Sequence, residues 1–396
     1  MTDYATANIR ITVPAEFDVV ATGDPVGPPA SPPGVVERGQ RRRKMYVFDT
    51  AKPARYLAVL ISRLNPVDSA RVTAGGAVVS LYVQSSPRQS NRVRDMAEKT
   101  AALFKFYASL VGDAPYPSFT LVLTESDRPG GHSPPYFAVL NEVVMGSRFV
   151  WRNDPVSFDN YPTFFLAHEV AHQWWGHAVG WKNYHEQWIS EGFAQYFAAL
   201  YAEKDQEGNV LANLLRQMRH TAIAASAQGP IYLGYRLGHI QADDRVFRAV
   251  VYNKAAMVLH MLRRLVGDDA FFAGVRGFYE EWKFRKAGTD DFRAVMEKAS
   301  GRDLHRFFET WIYGASIPLL KFSYRVAGTE AVVRFEQRGE PVDVPISVTM
   351  TYTSGATEDV LIALSDQITE RTLPLRGAVR AITANTDNGA LVEIEK

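Results

Sequence analysis

Two histidines four residues apart, His168 and His172, with Glu169 directly after the first, constrain this chain more than any other feature. They lie in residues 165–197, FLAHEVAHQWWGHAVGWKNYHEQWISEGFAQYF. On a helix, positions i and i+4 project from one face a turn apart, the spacing that two imidazoles need to share a metal ion. A carboxylate after the first histidine can reach a water on that ion, and the resulting HExxH pattern is associated with zinc hydrolases: two ligands and a general base. A zinc ion that does chemistry usually takes three protein ligands and keeps a fourth position open. Glu191 is the candidate third ligand, nineteen residues after His172 in a second helical segment, SEGFAQYFAALYAEK. The competing reading is a buried helix that happens to carry two histidines, and a downstream Glu in its own helical period weighs against it.

The 396 residues include no cysteine. That removes disulfides, thiol nucleophiles and Cys-ligated zinc, leaving His and carboxylate as ligands for one zinc ion per chain. Lys+Arg 44 against Asp+Glu 43 gives a formal charge of +1, so no global field points to nucleic acid or an anionic membrane. No basic region followed by an apolar stretch opens the chain, and no apolar run is long enough to span a bilayer. As written, the sequence reads as soluble, unexported and cytoplasmic; oligomeric state is not encoded in any pattern visible here.

Residues 8–83 read as short strands rich in β-branched and aromatic residues, interrupted at 24–43 by a Pro/Gly-rich loop ending in the basic run 41–44. Residues 90–111 have helical spacing and stop at Gly112. Strands follow at 119–125 and 136–145, flanking a loop with Gly130, Gly131, His132 and Ser133. A glycine pair beside a strand edge lets a ligand backbone approach closely, although a plain turn fits equally well. Helical spacing then recurs at 210–227, 246–266, 269–285, 290–300 and 303–313, with Gly267, Gly301 and Gly314 where carboxyl-terminal caps belong and Thr289 as an amino-terminal cap. After residue 318 the period returns to two, with seven short strands suggesting a small β-sandwich.

With these residues in place, the chain resembles the M1 family of zinc aminopeptidases, the gluzincins. The family's HExxH, eighteen intervening residues and Glu in an NEGFA-like context stand here as His168-Glu169-Val170-Ala171-His172 and Ser190-Glu191-Gly192-Phe193-Ala194. The resemblance implies an α+β fold in three parts: a shortened N-terminal β-domain (1–84), a thermolysin-like, mainly helical zinc catalytic domain with a small sheet (85–316) and a C-terminal β-sandwich (317–396). It implies a peptide substrate, Glu169 as general base, and His168, His172 and Glu191 as zinc ligands. It also assigns Tyr252, in Tyr252-Asn253-Lys254-Ala255, to the family tyrosine that stabilises the tetrahedral intermediate. Composition alone would make Tyr252 a helix-packing residue.

Two departures bear on function. The family's GxMEN motif supplies a glutamate that binds the substrate's free amine, and the matching stretch here is Gly130-Gly131-His132-Ser133-Pro134, with Ser133 in the glutamate position. Glu142 and Glu186 are the carboxylates that could substitute. The N-terminal β-domain is also about half the family's length. The expected activity is therefore zinc-dependent aminopeptidase hydrolysis, with two alternatives: a zinc endopeptidase or other hydrolase that does not read a free amine, or a non-catalytic binding module. His177 is expected to be a loop hydrogen-bonder, and His220, His239, His260 and His305 structural or surface residues.

Overall fold

The computed structural model of the chain describes residues 3–30, 42–88, 95–125, 130–141, 158, 161, 163–205, 210–240 and 243–395. Its contacts form two compact units, Met1–Tyr201 with Val275–Gly288, and Ala202–Gly274 with Thr289–Lys396. No helix among the described residues is long and apolar enough to cross a membrane.

The first unit opens with β1 (Asn8–Pro14), β2 (Asp18–Ala21), β3 (Asp24–Pro25), β4 (Arg43–Asp49) and β5 (Val59–Ser62). β1 and β3 flank β4, and β2 pairs with β5. Val13, Val19, Ala21 and Phe48 close a small core between them. Part of the basic run is structural: Arg43 and Lys44 begin β4, and Lys44 Nζ lies 2.6 Å from Asp18 Oδ1. Residues 31–41 of the loop expected there lie outside the described residues.

A five-stranded sheet follows, in the order β6-β7-β8-β10-β9, from β6 (Asn65–Ala74), β7 (Ala77–Ser85), β8 (Ser118–Thr124), β9 (Gly131–His132) and β10 (Phe137–Asn141). β7 and β8 are parallel, which demands a crossover, and α1 (Met96–Val111) supplies it. Gly112, at φ 100°, ends α1 in a left-handed cap, as its position in the sequence suggests. Phe119, Leu121 and Val122 of the central β8 are all fully buried, the continuous apolar run of a strand covered on both faces. The expected boundary at residue 84 falls inside β7, within this one hydrogen-bonded sheet. Among the described residues β9 is an edge strand, pairing only with β10.

The unit is completed by α2 (Thr163–Ala171), β11 (Val179–Trp181), α3 (Trp188–Asp205) and β12 (Arg285–Ala287), which pairs in parallel with β11. α2 is apolar nearly all round, with every residue from Phe164 to Ala171 buried, and so is a core helix.

The second unit begins with α4 (Val210–Ser226). The expected helix over 246–266 is a continuous run of α5 (Asp244–Arg248), a π-helical turn Ala249–Lys254 and α6 (Ala255–Val266). α7 (Asp268–Trp282), α8 (Thr289–Ser300) and α9 (His305–Phe308) follow, the last running into a second π-turn, Glu309–Tyr313. Gly267 and Gly301 take positive φ at helix ends as expected. Gly314 does not: at φ −93° it is extended, and its carbonyl accepts a hydrogen bond from the fully buried Lys254 Nζ at 3.0 Å.

Seven strands close the chain: β13 (Leu319–Ala327), β14 (Glu330–Arg338), β15 (Val344–Tyr352), β16 (Thr357–Leu364), β17 (Ile368–Pro374), β18 (Val379–Ala384) and β19 (Glu393–Glu395). They form a four-stranded sheet, β17-β14-β13-β19, and a three-stranded one, β16-β15-β18. Ala331, Val333 and Phe335 alternate inward along β14, the period of two legible in its sequence.

The two-residue turn joining β6 to β7 gives a direct test of this fold. Gly75 (φ 59°) and Gly76 (φ 80°) both lie in the left-handed region that such hairpins require, and a Cβ at Gly75 would stand 2.5 Å from Asp113 Cα. Gly75→Ala therefore combines a backbone penalty of ~1–2 kcal/mol with a clash against main chain that cannot swing aside. We expect a clear fall in the urea midpoint; an unchanged midpoint would contradict the packing of this turn.

Candidate metal centre

His168 lies in the last turn of α2, His172 just past its end, and Glu191 in the first turn of α3. The four-residue spacing brings the two imidazoles face to edge, with Nε2 of His168 and His172 3.1 Å apart. Glu191 Oε2 is 3.4 Å from the first and 3.2 Å from the second. Three acceptor atoms thus form a nearly equilateral triangle. Ligand atoms bound tetrahedrally at ~2.0–2.1 Å from a zinc ion stand about 3.3 Å apart, so the triangle has the edge that such an ion requires. Among the described residues this is the one cluster of three or more His, Asp or Glu side chains able to hold a metal ion.

The surroundings fix these groups. Nδ1 of His172 faces the Trp175 carbonyl at 3.0 Å and the Ser190 hydroxyl at 3.2 Å. A proton donated from Nδ1 to that carbonyl leaves the Nε2 lone pair facing Glu191, the tautomer a metal ligand needs. Gln195, one turn beyond Glu191 on α3, lies beside His168. Trp175 packs against Phe193 and Phe197 of α3 at ring distances of 4.6 and 5.2 Å, locking the loop after α2 onto the helix that carries the third ligand. Glu191 also gains from the partial positive charge at a helix amino terminus.

The electrostatics ask for a cation. Burial disfavours charge on His172, yet the Glu191 carboxylate outweighs it and pushes the imidazole up to about 9. Burial likewise works against the Glu191 charge, and the two histidines overcome it, holding the carboxyl well below its usual range. A positive charge between these groups is what stabilises the cluster, and a metal ion supplies it.

Glu169 is 6% exposed, and burial pushes its carboxyl up to about 7. Its side chain lies next to β9: a Cβ on Gly131 would meet the Phe165 ring at 2.8 Å and Glu169 Oε1 at 3.0 Å. Gly131 is therefore a close-approach glycine against the carboxylate. Gly130, at φ 142°, turns the chain into β9, and His132 is exposed with Nε2 3.4 Å from the Tyr56 hydroxyl.

Ser133 is occupied internally. Buried at 5% exposure, it donates through Oγ to the Glu169 carbonyl at 2.6 Å and accepts from Gln173 Nε2 at 3.0 Å. The amide of Gln173 bonds to Val170 rather than Glu169, so Ser133 satisfies a helix-end carbonyl that would otherwise be stranded. His177, buried at 6% exposure, bonds the Ser133 carbonyl through Nε2, so the expected loop hydrogen-bonder is a core one. Glu186 is also buried, with Oε1 against Gly288. Glu142 and the side chain of His239 lie outside the described residues. His220 and His305 are exposed, and His260 is buried in α6.

Tyr252 belongs to the second unit, half-buried in the π-turn Ala249–Lys254 with its ring 6.0 Å from that of Phe247. Sequence reasoning missed Ser190, Gln195, Gln173 and Tyr56. The first two had a signal in the helical register of α3 around Glu191; the others act through loop contacts without a periodic trace.

Comparison with known proteins agrees with the geometry. The description of the peptidase family M1 domain matches residues 159–311. Aminopeptidase M1-A of Oryza sativa subsp. japonica is 24% identical over 281 residues, covering 70% of this chain and 31% of the relative. Glutamyl aminopeptidase of Bos taurus is 30% identical over 161 residues, covering 39% of this chain and 16% of the relative. In structure, the chain is similar to Legionella pneumophila aminopeptidase A in complex with aspartic acid, with a TM-score of 0.76 at 16% identity, over 99% of this chain and 45% of that one. The chain thus spans about a third of the rice relative's length and less than half of the Legionella chain. The segment that carries the HExxH helix and the third carboxylate thus lies within the residues that match the peptidase family M1 domain, and over the whole chain the likeness is one of fold.

Proposed function

We propose that the chain is a zinc-dependent peptide hydrolase of aminopeptidase type, with a C-terminal β-sandwich over residues 317–396 and a catalytic part whose sheet runs through residue 84. The observation that carries the reading is the convergence of His168, His172 and Glu191 beside a buried carboxylate at an edge strand. Zinc held by those three residues would supply a Lewis acid with one position left open. Glu169 takes a proton from the water that attacks the peptide carbonyl and delivers it to the leaving amine, a role suited to a group that titrates near neutrality. The substrate backbone lies along β9, whose Gly131 packs directly against Glu169. Tyr252 donates its hydroxyl to the negative charge developing on the carbonyl oxygen; the family pattern of Tyr252-Asn253-Lys254 and its π-turn, a distortion frequent at functional sites, support that role.

A second reading rests on Ser133. Because its hydroxyl is held by the Glu169 carbonyl and Gln173, it gives a substrate amine neither a charge nor a free acceptor. Hydrolysis that does not depend on a free amino terminus follows if no other carboxylate serves.

Three expectations test this. Glu169→Gln keeps stoichiometric zinc by elemental analysis and loses hydrolysis by ~10²–10⁴, whereas His172→Ala loses both; an active Glu169→Gln protein sinks the assignment. Tyr252→Phe retains zinc and lowers kcat by ~10²–10³, and an unchanged kcat removes Tyr252 from the mechanism. A fluorogenic peptide cleaved only with a free amine supports the aminopeptidase reading, and equal rates for its blocked form favour the second.

A further inference from the structure

Arg55 has no carboxylate partner among the described residues. It lies between the Ala54 bridge and β5, and its guanidinium is laid flat on the Trp181 ring, 3.2 Å from the centroid. Nη1 donates to the Gly176 carbonyl at 3.1 Å. Among the described residues Nε and Nη2 have no acceptor and are not sealed from solvent, and Arg55 has no ion pair there. The ionisable groups felt by the guanidinium are the phenols of Tyr4, Tyr56 and Tyr184, not carboxylates. Half-burying a charge against apolar rings costs free energy that a single carbonyl contact does not offset. Stacking on an indole, however, orients the fork and removes the entropy a free arginine would lose on binding.

Its place in the molecule decides what that orientation serves. Gly176, whose carbonyl Arg55 holds, sits in the turn after α2, where a Cβ would collide with Ser190 and come within 3.6 Å of His172 Nδ1. The next residue, Tyr56, reaches His132 Nε2 at 3.4 Å and packs edge-on against His177 at 5.6 Å. Arg55 and Tyr56 thus border the same wall as β9 and the loop that carries His172. The residue that would ordinarily read a charged end of the substrate, at position 133, is neutral and engaged elsewhere.

We propose that Arg55 is a specificity-determining residue that binds a carboxylate of the peptide substrate through its open N–H groups. The proposal rests on the peptide-hydrolase reading. The carboxylate comes from the peptide's carboxyl terminus or from an acidic side chain; a planar fork with two unused donors matches either.

The test measures binding, not turnover. Zinc-loaded Glu169→Gln protein is titrated calorimetrically with trialanine and its amide, and with tripeptide amides that differ only in Asp against Asn. A carboxylate preference of about 10- to 100-fold in one pair, lost on adding Arg55→Gln with zinc content intact, supports the proposal, and the pair that shows it identifies the source. Equal binding within both pairs, or a preference that survives Arg55→Gln, overturns it. If Arg55→Gln does not fold, Arg55→Lys decides: it keeps the charge but not the fork, and a preference it leaves undiminished overturns the proposal. Intact preference with no hydrolysis by the wild-type zinc protein would sink the hydrolase reading and leave the carboxylate site standing.

Discussion

Two imidazole nitrogens and a carboxylate oxygen held within 3.1 to 3.4 Å of one another are the constraint around which the first unit is built. With both imidazoles neutral all three are acceptors, so the cluster then calls for a positive charge between them, which a proton on His172 or a metal ion supplies. Rigidity comes from two sources: helical spacing sets the distance between the imidazoles, and the stack of Trp175 on Phe193 and Phe197 ties the end of α2 to α3. Neither source depends on surface contacts.

The side of the cluster nearest β9 is built with similar economy. Ser133, Gln173 and His177 form a buried chain of hydrogen bonds from the strand edge to the end of α2. Gln173 also accepts from the Tyr136 amide and donates to the Pro134 carbonyl, so it meets polar groups from both sides of its loop. This network accompanies the close approach of the Gly131 backbone to Glu169 and at the same time engages the Ser133 hydroxyl within the protein.

Much of this was legible in the sequence where local periodicity or fixed spacing carries the information. The pairing of His168 and His172 follows from 3.6 residues per turn, and the seven C-terminal strands follow from their alternation. β6 did not announce itself: NPVDSARVTA carries a proline and interspersed Asn, Asp, Ser, Arg and Thr, and it is a strand because β7 pairs with it. Its consequence, a sheet that runs through residue 84, depends on contacts between distant segments that no window reveals. The π-turns at Ala249–Lys254 and Glu309–Tyr313 were hidden for another reason, since one extra residue in a turn barely alters an apolar pattern. Ser133 and Arg55 show the remaining limit: the partner of each is a main-chain carbonyl, which has no signature in sequence.

The central claim is that His168, His172 and Glu191 together hold zinc. X-ray absorption spectroscopy at the zinc edge tests it most directly on protein loaded with one equivalent. The account predicts a four-coordinate ion with two imidazoles, identified by their multiple-scattering pattern, and oxygen ligands for the rest, all at ~2.0–2.1 Å. A six-coordinate, oxygen-only shell without imidazole scattering would contradict it.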